Sequence, residues 1–418
     1  MKTAGLYASI ILTTLAWWYC AFKPTSQSTE NQNHTPFQSS TSSFQPPRYL
    51  SNLSPMQRDL IQQALSGDVE LMTTLIGEWD IDAQIMERNG LVGVKRLPRS
   101  TYLKAQILNR QLKDSTEHEI SQLRSAYSQK AVMDDNEIEL FPQIQNSRFL
   151  PQTYVSASFL LALNDPEEIV AIPHGLREET NLYPQELTDQ IPYDVDRYQS
   201  EKLYQEKPSI AFVAHYSHPT TLEALRNQGV QLFMLKGQLN NVFEISDALT
   251  RIGKLVNRPI KSELLSIFME SAMIAIDNRM FALNQTMVKD KPSRVMFLHY
   301  FTHYSMPTGK TITGQLMKRL QPYHFSFISE VLENEEQWLI PVDHEKILDY
   351  DPDCLIIASS CEGGMKNHIQ NDSSFHHLKA AKNQQIYFVD SSIQQSPTQY
   401  IVLAYYDLAN TLSHTQNP

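Results

Sequence analysis

The sequence predicts an α/β fold in which two Rossmann-like lobes are joined by a single long helix and preceded by an N-terminal helical extension. The main observation is a segment that occurs twice, at residues 201–214 and 345–358. Each copy contains a Glu-Lys pair, a proline seven positions after the glutamate, and an apolar run. A long helical pattern separates the copies, and helical rather than strand periodicity precedes them. Two related halves with one connecting helix follow from these observations.

Each copy of the repeated segment predicts a short helix followed by a buried strand. Pro208 and Pro352 end the helices, because proline cannot continue one. The apolar runs at 210–214 and 354–358 show little alternation, which is typical of parallel strands covered on both faces. Polar residues follow each run directly, and ligands of parallel sheets bind outside the carboxyl ends of strands. We therefore expect each lobe to present polar loops to a ligand.

Length, charge and cysteine content limit the classes of protein. A chain of 418 residues has room for two or three domains. A formal net charge of −11 argues against nucleic acid as a partner. The three cysteines are Cys20, Cys354 and Cys361. The last two lie at opposite ends of a predicted strand, too far apart for a disulfide, so none is expected.

The first residues have the features of an export signal. Residues 4–22 contain no charge and are flanked by Lys2 and Lys23. We therefore predict a signal peptide or membrane anchor over residues 1–23. Residues 24–53 are rich in Ser, Thr, Gln, Asn and Pro, which indicates a flexible linker. The remainder is expected in a periplasmic or extracytoplasmic location, and the sequence leaves open whether the first segment is cleaved, retained as an anchor or lipidated.

The rest of the chain divides by pattern. Residues 54–145 are predicted to form an accessory helical region without a catalytic motif, since apolar residues recur there at helical spacing. Strand and helix patterns alternate from residue 146 onward. The predicted parts are an N-terminal α/β lobe at 146–245, a linking helix at 246–290 and a C-terminal α/β lobe at 291–418. The predicted strands are 148–152, 168–172, 210–214, 229–235, 294–298, 354–358 and 386–389.

Several local patterns, taken in order, resemble the substrate-binding proteins of ABC importers for iron-siderophores, haem and vitamin B12. The resemblance covers the chain from Arg148 to its C-terminus. It rests on the opening strand, loop and helix at 148–163, on both copies of the repeat, on Pro307-Thr308-Gly309-Lys310, and on the final loop at 391–397. The first copy differs at Ser209, where the family usually has Asp. The resemblance implies the class III architecture, with two lobes joined by a rigid helix and a chelate held in the cleft.

The resemblance also implies a function without catalysis and without a cofactor. Such proteins deliver a metal chelate to permease subunits in the inner membrane, and a monomer is expected. One glutamate from each lobe pairs with permease arginines, and Glu201 and Glu345 occupy these positions. Exposed carboxylates at equivalent places suit charge-assisted docking. The alternative is that each glutamate only stabilises a helix N-terminus through the helix dipole.

Histidines and tyrosines follow the predicted strands at places where a ligand is expected. Imidazole and phenolate suit iron, and aromatic rings suit the flat face of a porphyrin, corrin or catecholate. A lone histidine at such a place is most often an ordinary polar loop residue. His218 and His303 lie at the same strand ends. The candidate ligand-binding residues are Tyr154, His174, His215, Tyr216, His299, Tyr300, Tyr304 and Ser359. Contact with a chelated metal is expected from His174, His215 or His299.

Two other functions remain open at this point. One is a chelatase-like enzyme on the same two-lobed fold, and the other is an interaction protein whose lobes hold no ligand. The stretch Thr308-Gly309-Lys310-Thr311 resembles the end of a P-loop, but Tyr304 stands where the first glycine is required. ATP binding there is therefore not expected.

Overall fold

The computed structural model describes most of the chain after residue 54. Residues 46–418 belong to one compact unit. The predicted anchor, the predicted linker, Glu201, Cys20 and Cys361 lie outside the described residues. Within the described part, no helix is both long and apolar enough to span a bilayer. The described residues are 55–114, 130–142, 147–178, 182–195, 203, 205–235, 239–285, 291–300, 303–329, 337–359, 369 and 371–415.

The N-terminal extension contains helices between residues 55 and 114, as the sequence predicts, but the region 54–145 predicted to be helical also contains an antiparallel strand pair at Val132–Met133 and Glu139–Leu140. Asp68 starts its second helix by accepting a hydrogen bond from the backbone N–H of Leu71 at 2.9 Å. One apolar face of that helix, including Met72 and Ile76, is buried against the rest of the molecule. The extension is therefore part of the folded body. Its helices are α1 (Pro55–Leu65), α2 (Val69–Arg88) and α3 (Arg99–Asp114).

The N-terminal lobe contains a parallel sheet in the order β3-β6-β7. Its central strand is buried at every position, which explains the apolar run in the sequence. The predicted strand at 168–172 is shorter, because a 3-10 turn at Pro166–Glu168 precedes it. The elements are β1 (Val132–Met133), β2 (Glu139–Leu140), β3 (Phe149–Pro151), α4 (Tyr154–Leu163), β4 (Ala171–Ile172), α5 (Gly175–Glu178), α6 (Gln185–Thr188), β5 (Tyr193–Asp194), β6 (Ile210–Ala214), α7 (Pro219–Asn227) and β7 (Gln231–Leu235).

Two helices connect the lobes, α8 (Val242–Leu255) and α9 (Pro259–Gln285). Asn257, with φ of 59°, separates them, and Pro259 occupies the first position of α9, where its missing N–H costs nothing. With 27 residues, α9 is about 40 Å long. It buries apolar side chains around most of its circumference and packs against α2, α3 and α8. The predicted linking helix is thus a core helix with protein on several sides.

The C-terminal lobe has a mixed six-stranded sheet in the order β11-β9-β8-β12-β13, with β10 also pairing with β8. Strands β8, β12 and β13, which the sequence predicts, are parallel, and the short strand β10, which it does not predict, is also parallel to β8. Strands β9 and β11 are antiparallel additions, which the sequence analysis missed. The elements are β8 (Ser293–Tyr300), β9 (Tyr304–Pro307), α10 (Ile312–Leu320), β10 (Phe325–Phe327), β11 (Leu339–Val342), α11 (His344–Tyr350), β12 (Cys354–Ser359), α12 (Lys379–Lys382), β13 (Ile386–Asp390), α13 (Ser391–Gln394) and α14 (Ile401–His414).

Two apolar layers cover the C-terminal sheet. The layer that faces α9 and α14 is continuous with the cores of the N-terminal lobe and the extension. The opposite layer is a separate cluster that includes Met296, Leu298 and Tyr304. Cys354 is a buried free thiol in β12, and burial raises its pKa, which keeps the thiol protonated. The described strands of the two lobes form separate sheets.

Candidate functional site

A cavity of about 270 Å³ lies between the two lobes. Leu239 and Asn240, in the connection from β7 to α8, form its N-terminal side. The C-terminal lobe contributes the end of β8, the start of α10, the start of β11 and the segment after β13. Ligands of parallel sheets bind at such carboxyl ends. The lining residues of that lobe are His299, Thr311, Ile312, Thr313, Trp338, Leu339, Gln394, Gln395 and Pro397.

His299 is the titratable residue that the structure places at this cavity. Its side chain is on the same face of β8 as Phe297, with ring centroids 5.1 Å apart, and the residue is 2% exposed. Burial lowers its pKa to about 4, so the imidazole is neutral at physiological pH. Nε2 of Gln395 lies 2.9 Å from Nδ1 of His299. This contact fixes the orientation of the imidazole ring against the segment after β13.

The first turn of α10 forms one wall of the cavity. Thr311 caps this helix by accepting a hydrogen bond from the N–H of Gly314 at 3.0 Å. Gly314 has no side chain to separate the helix from the preceding loop, and a Cβ there would overlap the carbonyl of Thr308. The helix start is thereby held against the end of β9. Its N-terminal dipole favours partial negative charge on a ligand in the cavity.

Three exposed aromatic residues follow the three parallel strands of the N-terminal lobe. Tyr154 follows β3 and is 44% exposed, Tyr216 follows β6 and is 66% exposed, and Phe243 follows β7 and is 86% exposed. Because β3, β6 and β7 are parallel neighbours, these residues lie along one edge of the sheet. His215 is also exposed there, and its ring contacts that of Tyr216 at a centroid distance of 5.2 Å. We refer to Tyr154, Tyr216 and Phe243 as the aromatic edge.

The structure places Tyr300 and Tyr304 on the other side of the C-terminal sheet from His299. Tyr304 lies in the antiparallel strand β9, and its ring contacts Tyr300, Phe375 and His344. Burial raises the pKa of Tyr304 to about 12, so the phenol stays neutral. Because side chains alternate along β8 and Tyr300 pairs in register with Tyr304, both tyrosines enter the apolar layer on the face opposite His299 and do not reach the cavity wall.

The remaining candidates have other surroundings. Nδ1 of His174 lies 3.1 Å from Oδ2 of Asp194, and Nε of Arg177 donates to Oδ1 of the same carboxylate at 2.6 Å. Burial alone would raise the pKa of Asp194, but hydrogen bonds and charge from Arg177 and His174 lower it below its ordinary value. This pair joins β5 to the loop after β4. His174 has a structural partner here.

Other predicted residues differ in exposure. Ser359 is the buried last residue of β12 and is paired in register with Asp390 of β13. His218 and His303 are exposed, and His218 hydrogen-bonds Thr220 at 2.8 Å. Among the described residues, no group of three His, Cys, Asp or Glu side chains is arranged to hold a metal ion.

Glu345 is exposed in the first turn of α11. Asp343 caps that helix by accepting a hydrogen bond from the N–H of Lys346 at 2.9 Å. The cap does not involve Glu345, so its carboxylate remains on the surface beside the helix N-terminus. Both interpretations of this residue, docking and dipole stabilisation, agree with the position.

Sequence reasoning missed Asn240, Phe243, Trp338 and Gln395 as individual residues. The final loop at 391–397 was recognised, and this recognition was the signal that could have led to Gln395. Trp338 lies before the unpredicted strand β11, and Phe243 lies just inside a helix, where a phenylalanine is ordinarily assigned to a core.

Comparison with known proteins agrees with this architecture. The sequence profile described as "Periplasmic binding protein" matches residues 153–393, more than half of the chain. Comparison with curated protein sequences finds no match. A protein from Staphylococcus epidermidis ATCC 12228, described as a possible iron-binding (periplasmic solute-binding) protein, is 20% identical. It has a TM-score of 0.51, and the match covers 63% of this chain and 98% of that one.

Two further structures show the same fold. The periplasmic haem-binding protein RhuT from Roseiflexus sp. RS-1, in its apo form, is 16% identical with a TM-score of 0.51, and 65% of this chain and 99% of that chain are covered. The molybdate periplasmic binding protein MolA of Haemophilus influenzae, bound to molybdate, is 13% identical with a TM-score of 0.54. That match covers 69% of this chain and 92% of MolA. With two helix-linked lobes, a cleft at the strand ends and a matching profile, the chain belongs to the periplasmic binding protein family.

Proposed function

We propose that this protein captures a metal chelate outside the cytoplasmic membrane and delivers it to the permease of an ABC importer. The cavity between the lobes is the observation that carries this proposal. A ferric siderophore, haem or a cobalamin-like molecule is the class of ligand. Residues 1–23 are proposed to export the protein or to anchor it in the membrane.

The chemistry of the cavity supports a chelate of low net charge. Among the described residues that line it, none carries a formal charge at neutral pH, because His299 is neutral. A bare, multiply charged anion would find there only amide, hydroxyl and imidazole donors and the dipole of α10. Burial of charge without a paired charge is costly. A chelate that neutralises its metal with its own ligands avoids this cost.

The aromatic edge supports a ligand with a large apolar face. Three exposed aromatic side chains at one edge of the sheet offer apolar surface to a ligand. Tyrosine and phenylalanine rings stack on conjugated systems and cover apolar surface. Because burial keeps the imidazole of His299 neutral, it is in the form that can hydrogen-bond a chelate or coordinate its metal.

Binding is tested by following tryptophan fluorescence while the protein is titrated with haem, cobalamin, a ferric hydroxamate, a ferric catecholate and molybdate. Trp338 lines the cavity, whereas Trp79 packs on Phe268 at 5.4 Å in the extension. We expect a chelate to quench fluorescence in the wild type and in Trp79→Phe. Most of the response is lost in Trp338→Phe.

The titration also separates the alternatives. If every chelate binds more weakly than about 100 µM, a binding free energy of about 5.5 kcal/mol, the proposal fails and a ligand-less interaction protein is favoured. Molybdate binding stronger than chelate binding would contradict the argument from charge. Turnover of a bound chelate into free metal would indicate a chelatase-like enzyme.

Delivery is tested in a deletion strain whose growth requires import of the chelate. Glu345→Ala is expected to reduce import without changing chelate affinity, because its carboxylate is proposed to dock on permease arginines. Glu186→Ala is the matched control, since Glu186 is also exposed in the first turn of a short helix. Equal import by both variants would leave Glu345 only a role at the helix N-terminus. Glu201 is tested in the same way.

A further inference from the structure

Helix α1 and the turn after it contact the C-terminal lobe through two polar side chains. Nε and Nη2 of Arg58 bind Oδ1 and Oδ2 of Asp407 at 2.8 and 3.1 Å. Both side chains are mostly buried, with 27% and 18% exposure. Oγ of Ser66, in the turn after α1, lies 2.9 Å from the hydroxyl of Tyr400. A bidentate, partly buried arginine–carboxylate pair fixes orientation as well as distance.

The same helix and turn contact the N-terminal lobe. Nε2 of Gln62 donates to the carbonyl of Leu182 at 3.1 Å. Gly67, with φ of +107°, passes so close to α4 that a Cβ would overlap the carbonyl oxygen of Ala162. Only glycine adopts this conformation and permits this approach at low cost. The contacts on this side are therefore specific to the geometry of the turn.

The contacts with the two lobes alternate along one helix face. Arg58, Gln62 and Ser66 are four residues apart and thus lie on one side of the helix axis. Arg58 and Ser66 contact the C-terminal lobe, and Gln62 between them contacts the N-terminal lobe. Residues 55–67 consequently lie across the seam where the lobes meet.

A third group crosses the same seam. Nε2 of Gln399 donates to the carbonyl of Ser158 in α4 at 2.9 Å and lies 3.4 Å from the carbonyl of Leu65. The segment Gln394–Pro397, part of which lines the ligand cavity, leads within two residues to Gln399. The residue that crosses the seam, Gln399, is therefore only two residues along the chain from the segment that lines the cavity.

We propose that residues 55–67 act as a clamp that holds the two lobes at one separation and thereby positions the Gln394–Pro397 wall of the cavity. In this arrangement α9 alone does not set the width of the cleft. The proposal concerns the protein itself and does not depend on the identity of the ligand.

The test measures the distance between the lobes by double electron–electron resonance in the full chain. Spin labels are attached through Glu223→Cys in α7 and Asp349→Cys in α11, two exposed positions. Cys20→Ser and Cys361→Ser remove other sites of labelling, and Cys354 is buried. Arg58→Met removes the contact with one lobe, and Gly67→Ala disturbs the contact with the other.

Both variants are expected to shift or broaden the distance distribution, although they contact different lobes. Arg96→Met is the matched control, because Arg96 pairs with Asp80 and Glu87 inside the extension. It should leave the distribution as narrow as in the wild type. If Gly67→Ala does not fold, Gln62→Ala tests another contact with the same lobe, the hydrogen bond to the carbonyl of Leu182, without a clash. Unchanged distributions together with a lower Tm would overturn the clamp and leave the extension a purely stabilising role.

Discussion

The two lobes use the same local structure with different residues at one informative position. In both, the residue before the proline of the repeat has a left-handed conformation, with φ of 49° at Lys207 and 40° at Asp351. A strand buried along its whole length follows in both. The next residue after the proline is Ser209 in one lobe and Asp353 in the other.

The side chains of Ser209 and Asp353 both accept a hydrogen bond from a backbone N–H of the neighbouring strand, and the bond to Asp353 is the shorter one. The N–H of Arg148 lies 3.4 Å from Oγ of Ser209, whereas the N–H of Arg294 donates to Oδ2 of Asp353 at 2.9 Å. In both lobes the backbone carbonyl of that arginine accepts a hydrogen bond from the backbone N–H of Ser209 or Asp353, at 2.8 and 2.9 Å. The acidic residue of this motif therefore anchors the start of a neighbouring strand. Its replacement by serine says nothing against ligand binding.

The lobes also differ in how their sheets end. The C-terminal sheet adds antiparallel strands beyond its parallel core, whereas the N-terminal parallel sheet has three strands among the residues that the structure describes. There, Asp134 covers the edge strand β7, since its Oδ2 accepts from the N–H of Met234 at 3.1 Å. The smaller sheet therefore relies more on contacts from outside the sheet to cover its edge strand. We expect core substitutions in it to lower the free energy of unfolding more than equivalent substitutions in the C-terminal sheet.

The largest expected effect is the loss of unfolding free energy when a buried side chain is truncated in the central strand of either lobe. Phe212 in β6 and Ile356 in β12 are equivalent in the repeat, and both are fully buried. Phe212 packs between Phe149 and Phe233, with ring centroids 6.3 and 5.7 Å away. Phe212→Ala should lower the free energy of unfolding by about 3–5 kcal/mol, and Ile356→Ala by about 2–5 kcal/mol, with the larger loss for Phe212. Denaturant unfolding measures both, and a larger loss for Ile356→Ala would reverse the comparison.

The next largest effect is the loss of stability at acidic pH that we expect from His299. His299 and Thr153 each stand five residues after the arginine at the strand start, but only His299 titrates. Its pKa is lowered from 6.5 to about 4, so the unfolded chain binds more protons between these values. Stability should therefore fall as the pH is lowered from about 6.5 to about 4, by at most about 3 kcal/mol. His299→Gln should remove this slope, as followed by denaturant unfolding across the pH range; Thr153→Ser should retain it. An unchanged slope in His299→Gln would contradict the assignment.

An exchange of Ser209 and Asp353 tests the shared motif directly. Asp353→Ser should cost about 1–2 kcal/mol, because a charge-assisted hydrogen bond to a backbone N–H becomes a weak one. Ser209→Asp should stabilise the N-terminal lobe by about 1 kcal/mol or less. Thermal unfolding reports both changes, and chelate affinity should stay the same in both variants. A loss of affinity in Asp353→Ser would show that this position serves the ligand.

The smallest expected effect is a change in acid sensitivity at Asp351, compared with Lys207, the residue with left-handed backbone conformation at the equivalent position. A hydrogen bond from the backbone N–H of Lys379 at 2.8 Å, together with the charge of Lys379, lowers the pKa of Asp351. This stabilisation is present above the unfolded pKa of about 3.9 and is lost as the pH falls through the lower folded pKa. Asp351→Asn should therefore reduce acid sensitivity by a few tenths of a kcal/mol, since the pair is solvent-exposed. Lys207→Asn, at the equivalent position, should not change it. Equal acid profiles for the two variants would remove this difference between the lobes.

Local residue patterns alone were enough to predict the repeated strands, the long linking helix and the helical extension. Proline stops, uninterrupted apolar runs and helical spacing act over a few residues, so their consequences can be recognised without knowledge of the fold. His299 was also recognised, because it directly follows a strong strand pattern. The aromatic edge was recognised in two of its three members, Tyr154 and Tyr216, for the same reason.

Only the tertiary structure decided which of these residues come together. Tyr300 is next to His299 in β8 and therefore points to the opposite face of the sheet, and the pairing of β8 with β9 places Tyr304 beside Tyr300 on that face. Arg58 and Asp407 are 349 positions apart, and no local pattern indicates that they meet. Packing between distant segments determines such contacts, because each depends on the relative position of whole helices and sheets. The cavity and the clamp are both formed by such contacts between segments that are far apart in the sequence.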